Sequence, residues 1–276
     1  MSQTIAVFGK ASTGKTLVAA HLGMALGYTG EKTLVVGCDQ KRDTSRAMAA
    51  QSRPSLMEGL EAAGFQYEKV DLAALTVQAA PSVDVVELGP SQLISGHYGD
   101  VLTEAFHLFD EQDLFRRYAR IVFDVNDERL DAAFSPLLRR VQGAIAVCDD
   151  SLESLFVLNR MLRAMLIGAA EYQLALRLAG VVHNRSSRAS LFERYAQRSR
   201  AFPLLSIAES AELARLRTER RTLFAIKSPP PHLERIVTGF LKIAEMMRGQ
   251  SLNIVPVMPL EDEEIWRLAD PCGTVG

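Results

Sequence analysis

The stretch Gly9–Thr16, which reads GKASTGKT, decides how this chain folds. An apolar run, Ile5–Phe8, precedes it, and the following segment Leu17–Leu22 repeats its apolar residues with helical spacing. A strand, a glycine-bounded loop and a helix in that order are the context that a phosphate-binding P-loop requires. The loop's backbone N–H groups and the N-terminus of the helix attract phosphate oxygens. We therefore predict a nucleotide site here, rather than a tight turn that carries a surface lysine.

Two side chains of the loop have distinct predicted tasks. Lys15 can reach the β- and γ-phosphates of a nucleotide, and the Thr16 hydroxyl can hold Mg²⁺. The pattern thus predicts ATP and Mg²⁺ as cofactors. The nucleotide-binding residues of the loop are Gly9, Lys10, Ala11, Ser12, Thr13, Gly14, Lys15 and Thr16.

Length and composition indicate one large α/β domain. The 276 residues are 48% hydrophobic, which is enough for a full core. The net charge of −2 is nearly even, so nothing in it favours nucleic acid or an anionic membrane as the main partner. The most apolar helical segment, Leu152–Ala170, carries Glu153, Arg160 and Arg163. We therefore expect a core helix there and no membrane span.

The cysteines and the start of the chain indicate a cytoplasmic location. Cys38, Cys148 and Cys272 are far apart and show no metal-ligand spacing. Such a pattern is typical of a reducing compartment. The first apolar run begins so close to Met1 that we expect no signal peptide.

Further apolar runs alternate with helical segments, and this alternation predicts a doubly wound, mostly parallel sheet. Their continuous apolar character is typical of strands that are covered on both faces. One of them, Arg120–Asp124, ends in a carboxylate, which is the Walker B pattern for Mg²⁺ coordination through water. The runs are Thr33–Gly37, Val83–Leu88, Arg120–Asp124, Ala144–Cys148 and Leu178–Val182.

The second half of the chain carries weaker signals. We predict a short strand over Phe202–Leu205, a helix over Ala208–Arg217 and an amphipathic helix over His232–Arg248. Arg215, Arg217, Arg220 and Arg221 alternate with acidic residues and are expected on a solvated helix face. The predicted organisation is one P-loop ATPase domain over residues 1–250 and an acidic C-terminal tail over residues 251–276.

Several motifs together resemble one family. The loop has an early lysine, Lys10, which is typical of the deviant Walker A form of dimeric ATPases. The segment Val36–Arg46 (VGCDQKRDTSR) is similar to the segment after the second strand of nitrogenase iron proteins. It is equally similar to that of the ATP-binding components of dark-operative protochlorophyllide and chlorophyllide reductases. Two further segments fit this pattern: Phe123–Val125 with Phe134 and Pro136, and Val182–Arg185.

The resemblance implies a homodimer that binds MgATP in each subunit and changes shape with the nucleotide state. It implies that Lys10 contacts phosphates across the dimer interface and that Asp39 orients water. Asn184 would read the adenine edge, although a strand-end turn asparagine is the alternative. The remaining implied residues are Lys41 for the nucleotide, Asp43 and Asp124 with Thr16 for Mg²⁺, and Glu128 as a retained catalytic carboxylate.

The departures from the family concern its redox function. Relatives that transfer electrons hold one [4Fe–4S] cluster between subunits with two cysteines from each. Those positions fall on His97 and Asp131 here, and clusters are held overwhelmingly by thiolates, so no cluster is expected. The family's docking arginine falls on Asp100, a reversed charge. The glycine of its second switch falls on Asp127, where a carboxylate would repel the γ-phosphate, so hydrolysis is expected to be slow.

The sequence thus predicts an iron-protein-like ATPase that has lost its cluster. Its ATP-switched homodimer would serve regulation, assembly or delivery through an unidentified protein partner in a nitrogenase-like or tetrapyrrole system. Three alternatives remain open: an electron-transferring reductase subunit with atypical cluster ligation, a partitioning or positioning ATPase, and a scaffold that binds nucleotide without turnover.

Overall fold

The computed structural model describes residues 3–90, 98–125, 135–171, 177–187, 190–201, 203–248 and 257–269. Within these ranges one sheet has the strand order β3-β4-β2-β5-β1-β6-β7-β8, and all pairs are parallel except β3 with β4. This confirms the predicted doubly wound, mostly parallel α/β fold. The strands are β1 (Gln3–Gly9), β2 (Thr33–Gly37), β3 (Val77–Ala80), β4 (Val83–Glu87), β5 (Arg120–Asp124), β6 (Gly143–Cys148), β7 (Arg177–Ser186) and β8 (Pro203–Ala208).

Helices connect the strands and cover the sheet. None of those in the described ranges combines the length and the apolar character that a membrane crossing needs. The described helices are α1 (Lys15–Tyr28), α2 (Asp43–Met48), α3 (Leu56–Ala62), α4 (Leu72–Leu75), α5 (Tyr98–Glu111), α6 (Leu114–Arg117), α7 (Ser135–Leu138), α8 (Leu152–Glu171), α9 (Leu191–Ser199), α10 (Ala211–Thr218), α11 (Pro231–Arg248) and α12 (Asp262–Ala269).

The inner strands of the sheet, such as β1, β2, β5 and β6, are buried, and each face of the sheet has its own core. Ile5 and Val7 of β1 belong to the core beneath α1, α10 and α11. Ala6 and Phe8, the alternate residues, belong to the core beneath α5, α8 and α12. Side chains on a strand alternate between faces, so a strand covered on both sides must be apolar throughout. This is why the strands are visible in the sequence as unbroken apolar runs.

Local capping sets several boundaries more exactly than the apolar pattern does. Ser55 begins α3 with a capping box, in which its side chain accepts from the Glu58 N–H and Glu58 accepts from its N–H. We predicted a strand ending at Leu205 and a helix from Ala208, but β8 continues to Ala208 and α10 begins at Ala211. The reason is Ser210, whose side chain accepts from the Leu213 N–H and so fixes the first turn of α10.

Part of the predicted C-terminal tail packs against the domain. In α12, Ile265 and Leu268 are buried against α8 and α9. The buried Asn159 of α8 donates to the Leu260 carbonyl oxygen and accepts from the Leu260 N–H, both at 2.8 Å. Residues 257–269 therefore share the core of this fold, although the acidic composition of the segment indicated a tail.

Candidate functional site

The loop Gly9–Thr16 joins β1 to α1 at the carboxyl edge of the sheet, between β5 and β6. Ligands of open α/β sheets bind at this edge. Gly14 is the residue before α1 and has φ of 99°, a left-handed conformation that favours glycine. A Cβ on Gly9 would lie 2.3 Å from the Val147 carbonyl oxygen of β6, so only glycine fits there. The strand–loop–helix order predicted from the sequence is present.

Lys15 is folded over this loop. Its side chain is buried, and its Nζ donates to the carbonyl oxygens of Gly9 and Lys10 at 3.0 Å each. Thr13 supports the same turn by donating from its hydroxyl to the Lys10 carbonyl oxygen at 2.8 Å. An ammonium ion and a helix N-terminus thus face one concave backbone, which is the geometry that phosphates require.

Asp124 lies beside the loop because β5 pairs with β1, with Asp124 opposite Val7. Its Oδ2 accepts a hydrogen bond from the Thr44 hydroxyl at 2.7 Å, and the Thr16 hydroxyl also donates to this carboxylate. Burial raises the pKa of Asp124, and the two hydroxyls and Lys15 act in the opposite direction. The pairing of Thr16 with Asp124 fits the predicted Mg²⁺ position, where both groups are typical ligands directly or through water.

The predicted place of Asp43 near Mg²⁺ stays a prediction. Asp43 begins α2, and its carboxylate faces Arg46 at 3.6 Å and Arg217 at 3.9 Å. The next residue, Thr44, is the one that reaches Asp124. In this structure α2 is therefore tied to Asp124 through Thr44.

The segment after β2 places the other predicted residues of this region. Asp39 is almost fully buried, and its Oδ1 accepts from the Lys41 N–H at 2.8 Å. Asp39 also contributes to the raised pKa of Asp124, so the two carboxylates are neighbours. Lys10 is partly exposed and Lys41 is exposed, so a ligand or a second subunit could reach both side chains.

Glu87, at the end of β4, is a residue of this site that the sequence analysis missed. Its side chain is 3% exposed, and Oε1 accepts from the Ser45 N–H of α2. The other oxygen, Oε2, is buried without a hydrogen-bond donor among the described residues and lies against Gly37. Burial raises the pKa of Glu87 to about 7, and the charge of Asp124 adds to the shift. The sequence signal that could have identified Glu87 is a glutamate at the end of an apolar strand.

Asn184 contacts the loop from the opposite side. It lies in β7, is buried, and donates from Nδ2 to the Thr13 carbonyl oxygen at 2.7 Å. A Cβ on Gly14 would lie 2.3 Å from the same Nδ2. Asn184 is therefore part of the wall of the site, and its predicted contact with adenine stays a prediction.

The predicted cluster positions, His97 and Asp131, lie outside the described residues, as do Asp127, Glu128 and Cys272. Asp100 is exposed in the first turn of α5. Cys38 and Cys148 are buried and form no disulfide. Burial raises the pKa of Cys148, so its thiol is poorly suited to ligate iron. No three His, Cys, Asp or Glu side chains converge on a metal position within the described part of the chain.

The fold and this loop define a P-loop nucleotide-binding protein. A profile of the 4Fe-4S iron sulfur cluster binding proteins of the NifH/frxC family matches residues 3–273, so the chain belongs to that family.

Two curated relatives are light-independent protochlorophyllide reductase iron-sulfur ATP-binding proteins. The one from Heliobacterium modesticaldum is 30% identical over 254 residues, covering 91% of this chain and 88% of the relative. The one from Roseiflexus castenholzii is 31% identical over 274 residues, covering 97% and 98%. Among solved structures, the septum site-determining protein MinD from Pyrococcus horikoshii with Mg-ADP has a TM-score of 0.65 at 19% identity, covering 90% of this chain and 96% of that one. At that identity the likeness supports the fold alone.

Proposed function

We propose that this chain binds MgATP at the P-loop and uses its nucleotide state to switch a homodimer for protein–protein work. The observation that carries the proposal is the double anchorage of α2. The Thr44 hydroxyl bonds to Asp124, and the Ser45 N–H bonds to Glu87. Both anchors are carboxylates at or beside the phosphate end, so a change in charge there acts directly on α2.

Binding of a nucleotide with Mg²⁺ would change the contacts of Lys15, Thr44 and Asp43. Nucleotide phosphates would take the Lys15 ammonium away from the Gly9 and Lys10 carbonyl oxygens, because charged phosphate is the stronger acceptor. Bound Mg²⁺ would neutralise part of the phosphate charge. Thr16 and Asp124 would hold it, and the Thr44–Asp124 bond would then compete with the metal. Release of Thr44 would allow Asp43 to turn from Arg217 toward the nucleotide.

By the family resemblance, Lys10 would contact phosphates of the opposite subunit, Asp39 and Glu128 would act on the attacking water, and Lys41 and Asn184 would bind the nucleotide. Asp127 in the second switch supports slow hydrolysis, since it brings a like charge toward the γ-phosphate. Slow hydrolysis would therefore keep the dimer in its ATP-bound state for a long time, and a partner protein could recognise that state.

The dimer prediction is tested with Lys10. We expect sedimentation with a non-hydrolysable ATP analogue and Mg²⁺ to show a dimer, and Lys10→Ala to weaken association about tenfold or more, because a cross-subunit charged contact is lost. Lys227→Ala, which removes an exposed lysine elsewhere, is the matched control. Equal association with and without nucleotide, indifferent to Lys10, would contradict the switch.

We further propose that this family member works without a cluster, supported by His97 and Asp131 at the family's thiolate positions. Protein purified without oxygen is expected to be colourless and to give no cluster signal after dithionite reduction. Iron at about four atoms per dimer that disappears in His97→Ala would instead establish electron transfer with atypical ligation.

A further inference from the structure

Glu87, at the end of β4, leaves one buried oxygen unused. Its Oε1 accepts from the Ser45 N–H of α2 at 2.5 Å, whereas Oε2 has no hydrogen-bond donor among the described residues. The side chain is only 3% exposed, so bulk water does not reach this oxygen. A buried acceptor without a donor costs free energy, and the position of Oε2 therefore needs an explanation in the work of the site.

The space beside this oxygen is kept open by a glycine of β2. Gly37 pairs with Glu87 in the sheet, and a Cβ on Gly37 would lie 1.9 Å from Glu87 Oε2 and 2.7 Å from Thr44 Oγ1. The two oxygens therefore border the same small space and are no farther apart than these two distances together. Gly37 has no left-handed backbone conformation, so the approach of the two side chains, and not φ, requires glycine here.

Thr44 lies between two carboxylates and has one proton to donate. It is fully buried, and its hydroxyl donates to Asp124 Oδ2 at 2.7 Å. A hydroxyl is a single donor, so a bond to Glu87 requires that the bond to Asp124 is given up. If Asp124 turns its oxygens to Mg²⁺, as the proposed function requires, the Thr44 hydroxyl loses its present acceptor.

We propose that Glu87 is a positioning residue whose Oε2 accepts the Thr44 hydroxyl when Asp124 is engaged with Mg²⁺, and this rests on the proposed function. Glu87 then holds α2 at two adjacent residues, through the Ser45 N–H and the Thr44 hydroxyl. Glu87 ends β4 and Asp124 ends β5, on opposite sides of β2. The exchange of acceptors therefore shifts α2 toward β4 and does not release it.

The exchange is tested by the affinity of the full-length protein for ADP, measured by calorimetry with Mg²⁺ and with EDTA. Glu87→Gln keeps an oxygen for the Ser45 N–H and puts an amide donor in the place of the second acceptor. It also removes a charge, so it is made both in the wild type and in Thr44→Val, which has no hydroxyl. We expect Glu87→Gln to reduce the gain in affinity that Mg²⁺ brings by about tenfold more in the wild type than in the Thr44→Val background.

Thr44→Ser and Glu58→Gln are the matched controls. Thr44→Ser keeps the hydroxyl, so Glu87→Gln should have the same effect in that background as in the wild type. Glu58 bonds to Arg42, the residue before α2, and the effect of Glu58→Gln should not depend on Thr44→Val. Burial raises the pKa of Glu87 to about 7, so the measurements are made at about pH 8, where this carboxyl is ionised.

Hydrogen exchange of the wild type gives a second readout that needs no variant to fold. If Glu87 accepts the Thr44 hydroxyl, α2 stays anchored, and the Ser45 amide should be as well protected with Mg²⁺ and ADP as without them. Faster exchange of this amide in the bound state would show that α2 is released, and it would overturn the inference.

The outcomes separate this inference from the proposed function. A merely structural role of Glu87 would change the ADP affinity alike with Mg²⁺ and with EDTA. That result, or an equal effect of Glu87→Gln with and without the Thr44 hydroxyl, would overturn the positioning role while Mg²⁺-dependent binding by the wild type stands. Wild-type protein that does not bind ADP, or binds it with no dependence on Mg²⁺, would remove both proposals. The expected difference between backgrounds, with a protected Ser45 amide, establishes the role.

Discussion

The contacts of Lys15 within the P-loop are local, whereas the contacts on the β7 side of the loop join distant parts of the chain. Lys15 bonds to carbonyl groups five and six residues away. Asn184 bonds to Thr13, which is 171 residues away, and Asp150 bonds to Ser187 across 37 residues. A local loop keeps its shape whenever its strand and helix form. The β7 side of the site exists only when β7 and its loops are in place, so it should be the more easily disturbed of the two.

The largest expected effect is at the phosphate end. Lys15→Ala removes the only ammonium that is buried in the loop among the described residues, and we expect MgATP affinity to fall at least about a hundredfold. Tripolyphosphate affinity should fall equally, because the loss concerns phosphates. Calorimetry measures both, and thermal melting checks that the variant is folded. An unchanged affinity for either ligand would show that the phosphates do not bind here.

The second prediction concerns pH and the packing behind the phosphate end. His21 of α1 stacks on Phe240, its Nε2 accepts from the Leu223 N–H at 3.1 Å, and its Nδ1 therefore donates to the Leu17 carbonyl oxygen at 2.7 Å. Burial lowers the pKa of His21 to about 4. Because the unfolded chain takes up this proton near pH 6.5, the stabilisation is complete above pH 6.5 and is lost as pH falls toward 4. The expected loss is about 3 kcal/mol.

Denaturant unfolding at several pH values measures this loss. Between pH 6.5 and 4, the slope of the unfolding free energy against pH reports the protons taken up on unfolding. This number should be smaller by about one in His21→Gln than in the wild type. It should be unchanged in His107→Gln, which alters an exposed histidine of α5. Equal slopes in the wild type and His21→Gln would contradict the assignment. His183 should contribute less, since the Asp150 charge opposes the lowering of its pKa.

The third and smallest effect is expected where β7 meets the P-loop. In Gly14→Ala the new methyl group would approach Asn184 Nδ2 to 2.3 Å, and φ of 99° adds strain. Gly30→Ala is the control, because Gly30 has φ of 88° and open space around it. We expect Gly30→Ala to cost about 1 kcal/mol in unfolding free energy and Gly14→Ala about 2 kcal/mol. Only Gly14→Ala should weaken MgATP binding, and equal behaviour of the two variants would show that Asn184 does not press on the loop.

The sequence alone determined the sheet, the P-loop and Asp124, because each depends on a short pattern. Unbroken apolar runs require strands covered on both faces, and GKASTGKT after a strand requires a phosphate loop. The family followed from the same segments. The boundary of α10 was less accurate, since a single cap at Ser210 decides it.

The tertiary structure decided what no local pattern contains. Glu87 reaches Ser45 across 42 residues, and Leu260 reaches Asn159 across 101, so neither contact has a spacing that a sequence can show. The acidic segment near the C-terminus indicated a tail, but two buried residues, Ile265 and Leu268, were enough to pack it. The free-energy cost of burying a polar group depends on whether it finds a hydrogen-bond partner. When that partner is distant in the chain, the two groups come together only once the whole sheet has formed.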